Sequence, residues 1–181
     1  MVLTVVLDAG PLIAACKFET QGRLVVDHLL LSGCRIVIAP SVEEEVAVLG
    51  AGYPDGVVAG ERIAQGDIQV MPVANRRWAR HLAAYALGDG EKDSIELCGQ
   101  VEGVQALVTD DYLAFVAAIR LDLEAWMLPD LVVKLAKRGS LTIRVAAAIL
   151  ETVRPRYRAG VIEYSLVQLV EGKHGESSGT G

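Results

Sequence analysis

Cysteine and histidine are scarce in this sequence, and their scarcity excludes several kinds of site. The 181 residues contain three cysteines and three histidines, scattered along the chain. Their number and spacing do not suit a disulfide framework or a thiolate zinc site, nor a metal site built from histidines. Any metal bound by this chain is therefore expected to be a hard cation held by carboxylate oxygens.

Long apolar runs and an excess of positive charge are also missing. No run reaches the roughly 18–20 apolar residues that a membrane span requires. The N-terminal apolar run has no Lys or Arg ahead of it and is interrupted by Asp8 and Pro11, which argues against a secretory signal. The formal net charge of −6 argues against a passive nucleic-acid coat but allows an enzyme with an acidic centre. We expect a cytoplasmic protein without membrane contact.

The residues that are present predict an α/β fold with a parallel sheet. Hydrophobic residues make up 52% of the chain, enough to bury a sizeable core. Short β-branched runs alternate with helical patterns, an order typical of parallel strands joined by right-handed crossovers. The predicted strands span residues 2–7, 35–39, 68–73, 105–109 and 123–128.

The chain is expected to divide into three parts. Residues 1–128 contain all the predicted strands. Residues 129–171 show helical patterns only, and we expect them to form an extension packed on the first part. Residues 172–181 are rich in Gly and Ser and are expected to form a disordered tail.

Local signals predict several turns and helix boundaries. Residues 9–11 are interpreted as a turn in which Pro11 opens a helix. Residues 23–31 and 75–87 are predicted to be helical. Ser41, followed three residues later by Glu44, has the pattern of a capping box at the start of another helix.

Acidic residues occur next to four of the predicted elements. They are Asp8 after the first strand, Glu43–Glu45 after the second, Glu91 and Asp93 at the start of a helix, and Asp110 and Asp111 after the fourth strand. The carboxyl ends of parallel strands share one edge, where ligands bind. A divalent cation such as Mg²⁺ or Mn²⁺ would relieve the repulsion between these carboxylates. Each acid alone also suits a structural role, as a strand-end cap or a charge in a first helical turn.

Other folds that use carboxylates or bind phosphates fit the sequence less well. A haloacid-dehalogenase-type phosphatase needs a second Asp two residues after the first, where this chain has Gly10. The acid pair and phosphoacceptor Asp of a response-regulator receiver are not in place. The sequence also lacks a Gly-rich dinucleotide turn after the first strand and a Walker A loop.

Four segments resemble the motifs of the PIN-domain ribonucleases, a family that includes the VapC-like toxins of toxin–antitoxin pairs. The segments are Val5–Ile13 around Asp8, Pro40–Val46, Leu87–Ile95 with Glu91 and Asp93, and Leu107–Asp111. In the second segment Glu45 is the acid that best matches the motif, and Glu44 is the next candidate. They occur in the family's order within residues 2–128. No single motif is specific, but their common order makes the resemblance informative.

The resemblance implies a three-layer α/β/α sandwich with a central, mostly parallel sheet, followed here by the C-terminal helices. It implies hydrolysis of RNA phosphodiester bonds with Mg²⁺ or Mn²⁺ as cofactor. It adds an antitoxin protein to RNA as a partner, and the apolar C-terminal helices are candidates for that contact or for a homodimer. The catalytic residues that it implies are Asp8, Glu45, Glu91, Asp93, Asp110 and Asp111, with Asp8, Glu91, Asp93 and Asp111 as metal ligands. The choices between Asp110 and Asp111 and between Glu91 and Asp93 are open.

A basic segment is the candidate RNA contact. Arg76, Arg77 and Arg80 surround Trp78, a combination that can bind phosphates and stack on a base. The alternative is a solvated helix face from which Trp78 and Leu82 pack on the core.

Two other functions stay open at this point. One is a PIN-like binding module without activity, which the missing hydroxyl at Gly10 favours. The other is a metal-dependent phosphatase that uses the same acids. Hydrolysis of a small phosphate ester without RNA cleavage would indicate the phosphatase.

Overall fold

The computed structural model describes residues 2–171, and the predicted tail at 172–181 lies outside the described residues. Five parallel strands form a central sheet in the order β5-β4-β1-β6-β7. Helices cover both faces of this sheet, which confirms the predicted α/β/α sandwich. The strands are β1 (Leu3–Leu7), β2 (Glu19–Thr20), β3 (Arg23–Leu24), β4 (Cys34–Ile38), β5 (Ile68–Val70), β6 (Val104–Val108) and β7 (Ala125–Trp126), with β2 and β3 forming a separate antiparallel pair.

Ten α-helices are described between residues 9 and 171. They are α1 (Ala9–Lys17), α2 (Val25–Leu31), α3 (Pro40–Glu43), α4 (Pro54–Ala64), α5 (Ala79–Leu82), α6 (Asp89–Cys98), α7 (Tyr112–Arg120), α8 (Leu128–Lys137), α9 (Ile143–Val153) and α10 (Ala159–Glu171). A π-helical turn (Glu44–Val48) and a 3-10 turn (Leu49–Gly52) join α3 to α4, and a 3-10 turn (Arg154–Arg156) follows α9. None of the described helices has the length and apolar character needed to cross a membrane.

The central position of β1 follows from its sequence. All five residues of the Leu-Thr-Val-Val-Leu segment are buried, as expected for a strand covered on both faces. Val5 pairs with Ile36 on one side and with Ala106 on the other. Because β1 lies in the middle of the sheet, the residue after it, Asp8, lies in the middle of the carboxyl edge.

The C-terminal helices contribute to the buried core. Ile149, Leu150 and Val153 of α9 and Ile162 of α10 are fully buried. α8, α9 and α10 pack on one another. The boundary at residue 128 stays a prediction, because burial alone does not separate an extension from the rest of the core.

Two predicted helix starts are wrong by a few residues. α1 begins at Ala9 rather than at Pro11, because the carboxylate of Asp8 caps it and accepts a hydrogen bond from the Ala9 amide at 2.9 Å. The predicted helix at residues 23–31 begins only at Val25, since Arg23 and Leu24 pair with β2.

The predicted capping box at Ser41 is also wrong. The residue that precedes α3 is Ala39, which makes no side-chain cap, and Pro40 occupies the first turn. The Ser41 hydroxyl instead donates to Asp93 Oδ2 at 2.9 Å. A long-range partner has therefore replaced the local one that the sequence pattern suggested.

Most of the predicted helix at residues 75–87 is irregular, with only α5 helical inside it. The side chains of Glu96 in α6 and of Gln100 just after α6 bind the backbone at the start of this segment. The Glu96 carboxylate accepts from the Trp78 amide at 2.9 Å, and the Gln100 side chain accepts from the Ala74 amide at 2.8 Å and donates to the Asn75 carbonyl at 2.9 Å. Backbone groups held in this way are not available for helical hydrogen bonds.

Candidate functional site

Asp8 lies at the carboxyl end of β1 with only 4% of its surface exposed. One carboxylate oxygen caps α1, and the other accepts a hydrogen bond from the Thr109 hydroxyl at 2.8 Å. Burial raises the pKa of Asp8 to about 6. The hydrogen bonds from Thr109 and Ala9 lower this pKa, whereas the negative charges of Glu91 and Glu45 raise it further. The site therefore contains a carboxylate that is costly to keep ionised without a nearby cation.

Glu45 and Glu91 approach Asp8 from two different elements. Glu45 is exposed in the π-helical turn after α3, and half-buried Glu91 lies in the first turn of α6. π-Helical turns are rare and frequently occur at functional sites. The charges of both glutamates act on Asp8, so the fold has brought three acids from separate motifs to one edge.

The absence of a side chain at Gly90 leaves space beside these acids. A Cβ built on Gly90 would lie 3.5 Å from Glu45 Oε2 and 3.9 Å from Asp8 Oδ1. Within the described part of the chain, Asp8, Glu45 and Glu91 form no ion pair with Lys or Arg. Their negative charge is therefore uncompensated around this space.

Asp93 has both of its carboxylate oxygens occupied by neighbours. Ser41 donates to Oδ2 at 2.9 Å, and Arg76 forms an ion pair with Oδ1 at 2.8 Å. The Asp93 side chain is 13% exposed, whereas the Arg76 side chain is 56% exposed. Asp93 therefore links α3, α6 and the basic segment.

Asp110 and Asp111 differ in their partners. Asp110 accepts hydrogen bonds from Arg156 Nε at 3.1 Å and from the Tyr157 hydroxyl at 3.0 Å. Burial nevertheless leaves the pKa of Asp110 raised, because it outweighs these two favourable contacts. Asp111 is exposed and caps α7, accepting from the Ala114 amide at 2.7 Å.

The predicted metal cluster is not assembled as a set of three ligands. Residues 2–171 contain no group of three or more His, Cys, Asp or Glu side chains arranged to hold a metal ion. The donor chemistry still suits a hard cation, because Asp8 and Glu45 place carboxylate oxygens beside the open space at Gly90. Glu91 lies in the same first turn of α6 as Gly90, and its negative charge acts on Asp8.

The basic segment is exposed, but its aromatic residue is not free. The guanidinium of Arg77 lies 5.3 Å from the ring centroid of Trp78, and Arg80 is exposed. Trp78 packs on the core, and its ring lies so close to Gly99 that a Cβ there would be 2.6 Å from Cη2. This agrees with the core-packing alternative for Trp78 and leaves the arginines as candidate phosphate contacts.

Sequence reasoning missed Thr109 and Tyr157 at this edge, and it identified Arg156 only as one of a basic cluster with Arg154 and Arg158. Thr109 orients Asp8 and also accepts a hydrogen bond from the Asp111 amide at 3.2 Å. Its position directly before the two acids was the available signal. Arg156 and Tyr157 hold Asp110 from 46 and 47 residues away, and no local pattern indicates that contact.

A family model described as PIN domain matches residues 4–170. The match includes all four motif segments and extends through the C-terminal helices. No curated protein matches the chain at a significant level.

Proposed function

Because the chain belongs to the PIN-domain family, we propose that it is a metal-dependent ribonuclease that hydrolyses RNA phosphodiester bonds. PIN domains are typically nucleases, so the family supports a hydrolase. The observation that carries the finer proposal is the uncompensated charge of Asp8, Glu45 and Glu91, with Asp8 and Glu45 directly beside the space at Gly90.

Asp8, Glu45 and Glu91 are the residues that would hold Mg²⁺ or Mn²⁺; Asp111 follows the neighbouring strand β6 and caps α7. When bound, such an ion supplies water activation near neutral pH and neutralises charge on the phosphate. Asp93 and Asp110 are less suited as ligands, because Arg76 and Arg156 already compensate their charges.

The surrounding residues fix the position of Asp8. The Thr109 hydroxyl and the Ala9 amide each hold one of its oxygens, so the carboxylate has one orientation at the sheet edge. Arg76, Arg77 and Arg80 lie on the exposed segment that precedes α6. They can bind RNA phosphates outside the acidic centre, where phosphate contacts position the substrate without reading its sequence.

Metal binding should weaken in acid because of Asp8. Its pKa of about 6 is raised above the ordinary value of 3.8, so the neutral form, which is a poor ligand, accumulates below about pH 6. We expect Mn²⁺ affinity, measured by calorimetry, to rise between pH 5 and pH 7.5 and then to level off. Equal affinity at pH 5 and pH 7.5 would contradict the role of Asp8 as a ligand.

Filling the space at Gly90 should impair the metal site and leave the fold intact. In Gly90→Ala the added Cβ makes only ordinary contacts with Glu45 and Asp8. We expect unchanged or slightly higher thermal stability and a loss of Mn²⁺ affinity of about 10- to 100-fold, as for other changes next to metal ligands. Gly60→Ala in α4, where the Cβ would meet only Ala47 at 3.8 Å, is the matched control and should bind Mn²⁺ normally.

A substrate panel tests the proposed reaction. Purified protein is incubated with single-stranded RNA, structured RNA and a small phosphate ester, each with Mn²⁺ or with EDTA. Cleavage of RNA in Mn²⁺ alone supports the proposal. Hydrolysis of the ester without RNA cleavage would indicate a phosphatase, and inactivity on the whole panel would favour a binding module.

The finer biological role that we propose is that of a cytoplasmic toxin whose acidic edge is covered by an antitoxin protein. The exposed position of Glu45 and Asp111 leaves that edge open to such a cover. Induced expression of the wild type should arrest growth, and co-expression of a protein encoded beside it should relieve the arrest. Normal growth with an enzyme that cleaves RNA in vitro would contradict the toxin role.

A further inference from the structure

A second concave site lies beyond the carboxyl ends of β6 and β7. The cavity has a volume of about 600 Å³, within the range of small-molecule sites. Residues that follow β6 and β7, residues of α7 and residues of the C-terminal segment surround it. They include Thr109, Tyr112, Phe115, Met127, Arg156 and Arg158.

The wall of this cavity combines aromatic rings with positive charge. Tyr112 is 76% exposed, although a large ring at this position gains nothing from exposure to water. Phe115 lies one turn further along α7, on the same face. Arg156 and Arg158 supply the cations; Arg156 is paired with Asp110, while Arg158 forms no ion pair with any residue of the described chain.

The cavity adjoins the acidic edge at Thr109, Asp110 and Asp111. Thr109 lines the cavity and donates its hydroxyl hydrogen bond to Asp8. The contacts of Arg156 and Tyr157 with Asp110 compensate the acid on this wall. Asp111 on the same wall is exposed and forms no ion pair with a Lys or Arg of the described residues, so a phosphate is expected at Arg158 and away from Asp111.

We propose that this cavity binds one nucleotide of single-stranded RNA next to the phosphate that is cut. The base lies against Tyr112 and Phe115, since stacking on aromatic rings accepts any base. The neighbouring phosphate lies at Arg158. The inference rests on the proposed ribonuclease function, because it places the nucleotide beside the reaction centre of that enzyme. RNA is favoured over an apolar protein segment, because the guanidinium of Arg158 matches a phosphate and would lack a partner against an apolar chain.

The methionines of the chain give a binding test that needs no activity. Of its three methionines, Met127 lines the cavity after β7, and Met71 follows β5 at the opposite edge of the sheet. In protein labelled with ¹³C at the methionine methyl groups, the Met127 signal is assigned with Met127→Leu. Adenosine, guanosine, cytidine and uridine monophosphates are then titrated without divalent metal. We expect ring-current shifts at Met127 and none at Met71.

Two variants measure separately what ring stacking and positive charge contribute to binding. Tyr112→Ala removes the exposed ring, and we expect about 5- to 100-fold weaker binding of a labelled single-stranded RNA. Tyr53→Ala, which removes a ring of similar exposure outside the cavity, should bind like the wild type. Arg158→Gln should weaken binding of nucleoside monophosphates more than binding of nucleosides.

The outcomes distinguish this inference from the proposed function. If the wild type cleaves RNA but no nucleotide moves the Met127 signal and Tyr112→Ala has a normal KM, the cavity proposal is wrong and the ribonuclease stands. If nucleotides bind at Met127 but RNA is not cleaved, the cavity proposal stands without the enzyme. An apolar peptide that moves the Met127 signal when nucleotides do not would assign the cavity to a protein partner and overturn the proposal.

Discussion

Asp8→Asn is expected to lower the rate of RNA cleavage in Mn²⁺ by at least about 100-fold. Changes that only touch a metal ligand already cost about 10- to 100-fold, and Asp8 is the most deeply buried acid at the site. Asparagine keeps the size of the side chain and one acceptor oxygen, but it removes the negative charge. Initial cleavage rates of the two proteins, prepared identically, measure the effect.

The same variant should not be less stable than the wild type in the absence of metal. The folded-state pKa of Asp8 is raised from 3.8 to about 6, so the wild type loses stability as the pH rises from about 4 to about 6. The shift sets an upper limit of about 3 kcal/mol on that loss. Urea unfolding should therefore give similar free energies of unfolding for the two proteins at pH 4 and a higher value for Asp8→Asn at pH 7.5.

Asp122→Asn provides the matched control for both measurements. Asp122 is exposed with φ of 59°, a left-handed conformation that Asn also adopts. This variant should cleave RNA and unfold like the wild type. Equal cleavage by wild type, Asp8→Asn and Asp122→Asn would show that the activity comes from a contaminant or from another site.

Gly56→Ala is expected to destabilise the fold by about 2–3 kcal/mol, in the range of severe overpacking. A Cβ at Gly56 would lie 2.1 Å from the carbonyl oxygen of Gly50 and 2.7 Å from that of Val46. Both are backbone atoms, so α4 must move away from the π-helical turn. Because that turn contains Glu45, Mn²⁺ affinity should fall together with stability.

Gly60→Ala separates this clash from the general effect of adding a methyl group to α4. Its Cβ would have ordinary contact with Ala47, and Ala is favoured over Gly inside a helix by about 0.5–1 kcal/mol. Urea unfolding should therefore show Gly60→Ala to be slightly more stable than the wild type. Similar stability of the two alanine variants would contradict the close approach of α4 to the turn.

The sequence predicts the centre of the site because that part depends on local pattern. The buried strand β1 follows from a β-branched apolar run, and Asp8 follows from where the run ends. The parallel sheet then explains why Glu45 and Glu91 come close to it. These steps need only strand order and the rule that carboxyl ends share an edge.

The sequence does not predict the partners that distinguish one acid from another. Ser41 reaches Asp93 across 52 residues, and Tyr157 reaches Asp110 across 47. Hydrophobic periodicity contains no information on such pairs. The predicted helix fails before α5 for the same reason, since Glu96 of α6 and Gln100 just after it bind the backbone there.

Calorimetric titration of Mn²⁺ into wild type, Asp8→Asn and Asp122→Asn at pH 7.5 decides whether Asp8 holds a metal ion. We expect saturable binding by the wild type and by Asp122→Asn, and loss of that binding in Asp8→Asn. Equal binding by all three proteins, or a wild type that binds no Mn²⁺ yet cleaves RNA in EDTA, would contradict a metal site built on Asp8.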